Sequence, residues 1–326
     1  MQPVSVVDYH TAGEPFRIVT EGGPEIPGAT VAARRVAAQS SAAIDAVRRL
    51  LVNEPRGHAD MYGCFVVPPD DAGAHFGALF WHKDGYSTAC GHGTIALGVW
   101  AVESGLVPAA PDGVTEVVVD VPSGRVSALV RCSGGSVSDV AFRNVPSYVL
   151  ARSLPVAGAV ADISYGGAFY ASLPAASVGL SVTPEHYSAL VAIGREIKWA
   201  LNDVAVHPTD PRLNGLYGTI LYDDLGSAAD GPHQRNIAIF ADGQADRSPC
   251  GSGTSARLAL LHADGLLAAD QTLRHDSIVG STFGGRVVLE TPEGVVTEIS
   301  AMAYRTGAAT FSLDPRDPLG TGFTLR

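Results

Sequence analysis

Two cysteines in this chain stand in the same local sequence. Cys90 opens Cys-Gly-His-Gly-Thr and Cys250 opens Cys-Gly-Ser-Gly-Thr; an alanine follows at the sixth position, Ala96 or Ala256, and a Gly-Leu pair at the fifteenth and sixteenth. After each turn comes an apolar run, Ile95 to Val102 and Leu258 to Leu267, stopped by Ser104-Gly105 or Asp264-Gly265, the pattern of a helix ended by a C′ glycine. Each thiol is therefore expected at a helix N-terminus, with Pro249 in a first-turn position beside Cys250. Unpaired N–H groups and the positive end of the helix dipole bind anions there and lower a thiol pKa, and the flanking glycines let a ligand approach the backbone.

Two such turns facing each other across a cleft would grip a carboxylate and bracket its α-carbon. Inverting that carbon without a cofactor needs a base on one face and an acid on the other, and two thiols can exchange those roles. The developing enediolate needs preorganised donors and exclusion of water. The backbone N–H groups of Gly91, His92, Gly251 and Ser252 are the candidate donors. His92 and Asp246 lie close enough in sequence to reach a thiol or a substrate ammonium. A lone C-G-x-G-T would be weak; its repetition in register carries the inference.

Other chemistries lack their residues. There is no G-x-x-x-x-G-K-[ST], no G-x-G-x-x-G after a strand and no G-x-S-x-G. A pyridoxal phosphate racemase needs a Schiff-base lysine, and Lys83 and Lys198, the only lysines, lack a phosphate-binding context. The cysteines, Cys64, Cys90, Cys132 and Cys250, show no C-x-x-C or zinc spacing, so neither cofactor nor metal is expected. Cys64 and Cys132 are expected to be small buried hydrophobes.

Alternating patterns predict strands at Val4–Tyr9, Ala78–His82, Val114–Val121, Val126–Arg131 and Ile237–Phe240, with hairpin turns at 122–125 and 291–294. Helical periodicity covers Ala32–Val52, the stretch from Pro184 to Leu201, and the runs after both cysteines. The small-residue-rich stretch 146–161 suggests a domain boundary: residues 1–150 carry Cys90, residues 151–300 carry Cys250, and 301–326 join the first unit. His82 is expected on a sheet surface, and Asp70-Asp71 and Asp223-Asp224 as solvated loop charges. Glu14 and His58 are candidates either for lining the cleft or for buried structural roles.

The 326 residues are 46% hydrophobic and 17% charged, with a formal charge of −11 and no Lys/Arg-rich stretch, which argues against nucleic acid. No run of 18 apolar residues suggests a membrane span, and the start MQPVSVVDYHT resembles no secretory signal, so a cytoplasmic enzyme is expected. Oligomeric state stays open, a homodimer included.

The stretches DYHTAGEPFRIV, EPRGHADMYG, CGHGTIA, YGGAFYA and DRSPCGSGTSAR resemble the proline racemase family across nearly the whole chain. The resemblance implies an α/β (α+β) fold of two pseudo-symmetric, diaminopimelate epimerase-like lobes, each a mostly antiparallel sheet around a central helix, with the site in the cleft between them and no cofactor. It implies catalytic Cys90 and Cys250, and substrate binding by Gly91, His92, Asp246, Gly251 and Ser252. Two thiols are what proline racemases and 4-hydroxyproline 2-epimerases look like, whereas trans-3-hydroxyproline dehydratases carry threonine in the second position. YGGAFYASLP, LYGTILYDD and FADGQADRSP look closer to the dehydratases. The expected reaction is inversion of the α-carbon of proline or hydroxyproline, 4-hydroxyproline first; the alternatives are dehydration of trans-3-hydroxyproline and non-catalytic binding of a zwitterionic imino or amino acid.

Overall fold

The computed structural model describes residues 2–325. One pattern of strand pairing occurs twice along the chain. In the first lobe, Val4–Thr11 pairs antiparallel with Glu14–Glu21, which runs parallel to Gly63–Val67; Phe76–His82 follows antiparallel and lies parallel to Gly113–Val121. Gly124–Ser133 and Ser136–Arg143 then complete the lobe in antiparallel order. The second lobe repeats that alternation through Ala159–Tyr165, Phe169–Pro174, Leu216–Ala228, Gly231–Phe240, Leu273–Ser277, Thr282–Thr291 and Gly294–Ala301.

A parallel pair needs a long crossover, and the helices occupy those crossovers. In the first lobe α1 (Val31–Gln39) and α2 (Ala42–Val52) fill one and α3 (Gly91–Glu103) the next; in the second, α4 (Tyr187–Ala200) and α5 (Gly251–Ala263) take the matching places. The lobes join where Gly294–Ala301 pairs with Ser136–Arg143, and Ala303–Phe311 crosses back to pair with Val4–Thr11.

Both cysteine helices are central. In α3, ten of thirteen residues are buried, with Leu97 and Val99 in one apolar cluster with Ala128, Val130 and Val140. In α5, eleven are buried, and Leu258 and Leu261 cluster with Phe283 and Ile299. A helix buried on all sides shows almost no amphipathic stripe, as the apolar runs require. Gly105 and Gly265 end these helices with φ of 73° and 70°, the left-handed geometry that glycine adopts freely.

Several expectations are corrected. The stretch 32–52 is two helices, because Ser41 accepts from Ile44 N–H and caps a new start immediately after Ser40. The stretch 146–161, near which the domain boundary is expected and to which the sequence reading assigns no element, runs largely as strand, Tyr148–Val156 followed by Ala159–Tyr165. Asp70 accepts from Val31 N–H at the start of α1, and Asp223 sits in a strand where it accepts from Val182 N–H, so neither is simply solvated. Cys64 and Cys132 are buried free thiols, as expected. Among the described residues no helix is long and apolar enough to cross a membrane.

Candidate active site

The N-termini of α3 and α5 meet head to head. A Cβ added to Gly91 would lie 2.6 Å from Gly251 Cα, and one added to Gly251 would lie 2.7 Å from Gly91 Cα. Both contacts are to backbone, so neither can be relieved by turning a side chain. Gly91→Ala or Gly251→Ala is therefore expected to hold the lobes apart and lower kcat/KM by about 100-fold or more, the scale of an ångström-size misplacement. Circular dichroism should stay unchanged while steady-state kinetics collapse; wild-type kinetics in either variant would contradict the close approach.

Cys90 is the N-cap of α3 in extended geometry, and its Sγ accepts from Gly93 N–H at 3.2 Å. Cys250 caps α5 differently, at φ 64°, with its thiol 3.7 Å from Tyr170 Oη. A positive φ is rare outside glycine and costs on the order of 1–3 kcal/mol where it occurs. The surroundings impose it: Pro249 carbonyl accepts from Asn236 Nδ2 and Thr254 Oγ1, and Cys250 N–H donates to Ser248 Oγ. Pro249 thus precedes the cap rather than occupying the first turn. The N–H groups of Gly91, His92, Gly251 and Ser252 have no acceptor among the described residues, and these four residues begin the two helices.

Both thiols open on one small chamber lined by Tyr62, Ala89, Gly91, His92, Tyr170, Tyr217, Phe240, Asp246 and Ser252. The residues expected at the site line it except Gly251, which packs against Gly91 beside it. With the lobes closed the chamber is about 10 Å³, room for about one water. A pyrrolidine ring is larger, so ligand access requires the lobes to part.

The local rule for thiol acidity does not hold in this closed state. Burial pushes both thiols well above their ordinary pKa, Asp246 adds to the rise at each, and the first-turn N–H groups of Gly93 and Gly253 offset only part of it. A thiolate carried into this chamber is correspondingly a stronger base. His92 has both ring nitrogens 3.5–3.6 Å from Cys90 Sγ and is held neutral by burial, its pKa lowered to about 3. It orients the thiol rather than supplying charge.

Asp246 is fixed by Ser248, whose N–H and Oγ both donate to Oδ1 at 2.8 and 2.7 Å, leaving Oδ2 at 4.0 Å from His92 Nδ1. Burial raises its pKa from 3.8 to about 6. Nearby Glu14, fully buried, accepts from Arg247 N–H and ties the first lobe to this loop; burial and the Asp246 charge keep its carboxyl protonated well above the ordinary range. Glu14 is thus a buried structural group, and His58 accepts from Asp60 N–H on an exposed turn outside the chamber. An acid with a raised pKa is ionised only above it, so substrate-ammonium binding to Asp246 should strengthen as pH rises through about 6. The kcat/KM profile should show that limb, and Asp246→Asn should remove it.

Spacing alone does not reveal the hydroxyl cluster beside His92, whose ring packs edge-on against Tyr62. Tyr62 Oη, Ser87 Oγ and Tyr217 Oη form a hydroxyl triad; Tyr217 lies 3.0 Å from Ser87 and 3.1 Å from Tyr62, and Tyr62 and Ser87 are themselves hydrogen-bonded. Tyr62 and Ser87 come from the first lobe and Tyr217 from the second, so the triad closes across the cleft. His82, expected on a surface, is 5% exposed behind it, its ring against Tyr62, Tyr217 and Phe240.

Residues 6–324 match the proline racemase family. The chain belongs to that family. Among its relatives, the trans-3-hydroxy-L-proline dehydratase of Burkholderia cenocepacia is 44% identical over 335 residues, covering 99% of this chain and 98% of that protein. The 3-hydroxyproline 2-epimerase of Burkholderia multivorans is 44% identical over 337 residues, with the same coverage. A crystal structure of a hydroxyproline epimerase from Agrobacterium vitis, with bound trans-4-OH-L-proline, superimposes with a TM-score of 0.92 at 29% identity, over 100% of this chain and 95% of that one. As a proline racemase family enzyme, the chain has the two-lobed α/β fold that the resemblance implies.

Proposed function

We propose that this enzyme epimerises 3-hydroxyproline at C2 without a cofactor, using Cys90 and Cys250 as the two proton-transfer groups. The observation that carries the reading is the pair of thiols at opposed helix N-termini on one chamber. The substrate carboxylate takes the unpaired N–H groups of Gly91, His92, Gly251 and Ser252, and Asp246 takes the ammonium. One thiol, as thiolate, removes the α-proton; the C–H electron pair moves into the carboxylate as an enediolate, which the helix N-termini stabilise. The other thiol then gives its proton to the opposite face and is left as thiolate, so the next turnover starts from the reverse side.

Sequence favoured 4-hydroxyproline as substrate; the 44% relatives move the preference to the 3-hydroxy acid. The hydroxyl triad supplies hydrogen-bonding partners for a ring hydroxyl. Dehydration of the same substrate is the second reading, favoured by the dehydratase relatives. There the thiol that took the α-proton would return it to the 3-hydroxyl as the enediolate pair expels that group as water, and the resulting enamine would tautomerise to an imine. The test is a comparison of kcat/KM for L-proline, trans-4-hydroxy-L-proline and trans-3-hydroxy-L-proline, with product identified by NMR. Preference for the 3-hydroxy acid with its C2 epimer as product is expected; preference for either of the others would overturn the substrate assignment, and an imine product would establish the second reading.

A further inference from the structure

The thiol chamber is not the roomiest space between the lobes. Beyond Tyr217, which lines both, lies a cavity of about 570 Å³. The first lobe contributes Arg35 from α1, and the second contributes Lys198 and Trp199 from α4. That volume falls within the range of small-molecule sites.

Its charges are unevenly matched. The three carboxylates on its wall already have cations: Asp45 holds Arg48 and Arg49, Asp84 holds Lys83, and Asp242 holds Arg195 while also accepting from Trp199 Nε1. Arg35 and Lys198 have no carboxylate within ion-pair distance among the described residues. Arg35 spends its hydrogen bonds on the carbonyls of Tyr86 and Arg212. Lys198 is only 6% exposed, and its ammonium rests on the Trp199 ring, 3.3 Å from the centroid, with no hydrogen-bond acceptor among the described residues. Burial lowers the pKa of both groups, with the Asp242 and Asp84 charges opposing that at Lys198. A cation with no carboxylate in contact keeps donors free for an incoming anion, which makes charge-assisted hydrogen bonds there.

We propose that this cavity is an outer subsite for the carboxylate of the imino acid, received by Lys198 and Arg35 from opposite lobes before it passes Tyr217 into the thiol chamber. The identity of the ligand rests on the proposed function; the anion site does not. Tyr217 is the partition, because its hydroxyl is held by Ser87 and Tyr62 of the other lobe and is released when the lobes part.

Trp199 reports on the site, since an anion at Lys198 changes the charge on its ring face. Acetate and pyrrole-2-carboxylate should each quench wild-type tryptophan emission saturably, and the response should vanish in Lys198→Met and in Trp199→Phe. In turnover, Lys198→Met should raise KM for trans-3-hydroxy-L-proline by about 10-fold, the scale of one charge-assisted hydrogen bond, with kcat within about twofold and Lys198→Arg restoring most of the loss. Unchanged KM in Lys198→Met, or a response to inorganic phosphate at lower concentration than to either carboxylate, would overturn the assignment. The two readings fail separately. Quenching by acetate in an enzyme that turns over no imino acid would uphold the anion site and reject the proposed reaction; turnover without quenching would reject the subsite alone.

Discussion

Cys90→Ala and Cys250→Ala are each expected to lower epimerisation by about 10²–10⁴-fold, the usual contribution of a positioned acid or base. Each face of the α-carbon has one thiol, and no other titratable group lines the chamber in a state suited to replace it. His92 is held neutral, and Asp246 is committed to Ser248 through Oδ1 and to the substrate ammonium. Tyr62, Tyr170 and Tyr217 all have pKa values pushed well above the ordinary phenol range by burial. Cys→Ser should be nearly as damaging, since a hydroxyl is a far weaker acid than a thiol. Both alanine variants should still bind pyrrole-2-carboxylate, a planar mimic of the flattened carbon, because the N–H groups that hold the carboxylate belong to the backbone. Wild-type turnover in either would contradict the two-thiol mechanism.

The second large effect concerns Cys250 when the substrate carries a 3-hydroxyl. Removing this thiol while Cys90 remains leaves a group that can take the α-proton and none that returns one from the opposite face. The enediolate can then expel the 3-hydroxyl, which takes the proton Cys90 has just removed and leaves as water. Cys250→Ser and Cys250→Thr are both expected to lose epimerisation and to raise the ratio of dehydrated to epimerised product from trans-3-hydroxy-L-proline by about 100-fold or more. The serine variant is the cleaner test. At φ 64° a β-branched residue is strained, so Cys250→Thr should also melt at lower temperature than Cys250→Ser. Folded variants that bind pyrrole-2-carboxylate yet release no dehydrated product would show that Cys90 does not face the α-hydrogen of the L-substrate.

What was legible in the sequence was local or repeated. Gly-X-Gly-Thr after each cysteine and the glycine stops at Gly105 and Gly265 identify α3 and α5 because capping depends on a few adjacent residues. The facing of the two thiols followed from their repetition, since two copies of one lobe bring equivalent positions to a shared axis. The Tyr62, Ser87 and Tyr217 triad was not legible, because three hydroxyls from separated segments and both lobes meet only after folding. His82 was misplaced because its strand is buried on both faces, so a polar residue at its end is covered whichever side it takes. The thiol pKa values ran opposite to expectation for a related reason: helix N-termini favour thiolates, but closure removes water from both sulfurs, and that desolvation outweighs the N–H groups. The φ of Cys250 likewise depends in part on a distant residue, Asn236, whose amide holds the Pro249 carbonyl alongside the local contacts of Ser248 and Thr254.

Isotope exchange in D₂O tests the two-thiol claim most directly. Wild-type enzyme is incubated with trans-3-hydroxy-L-proline and followed by proton NMR from the first few per cent of conversion. The acid thiol exchanges with solvent while the base holds the proton it has just removed. The C2 epimer should therefore carry deuterium at the α-carbon from the outset, while unreacted substrate keeps its protium. Equal early deuteration of substrate and product would mean that one group serves both faces, and would contradict the assignment of Cys90 and Cys250 to opposite sides.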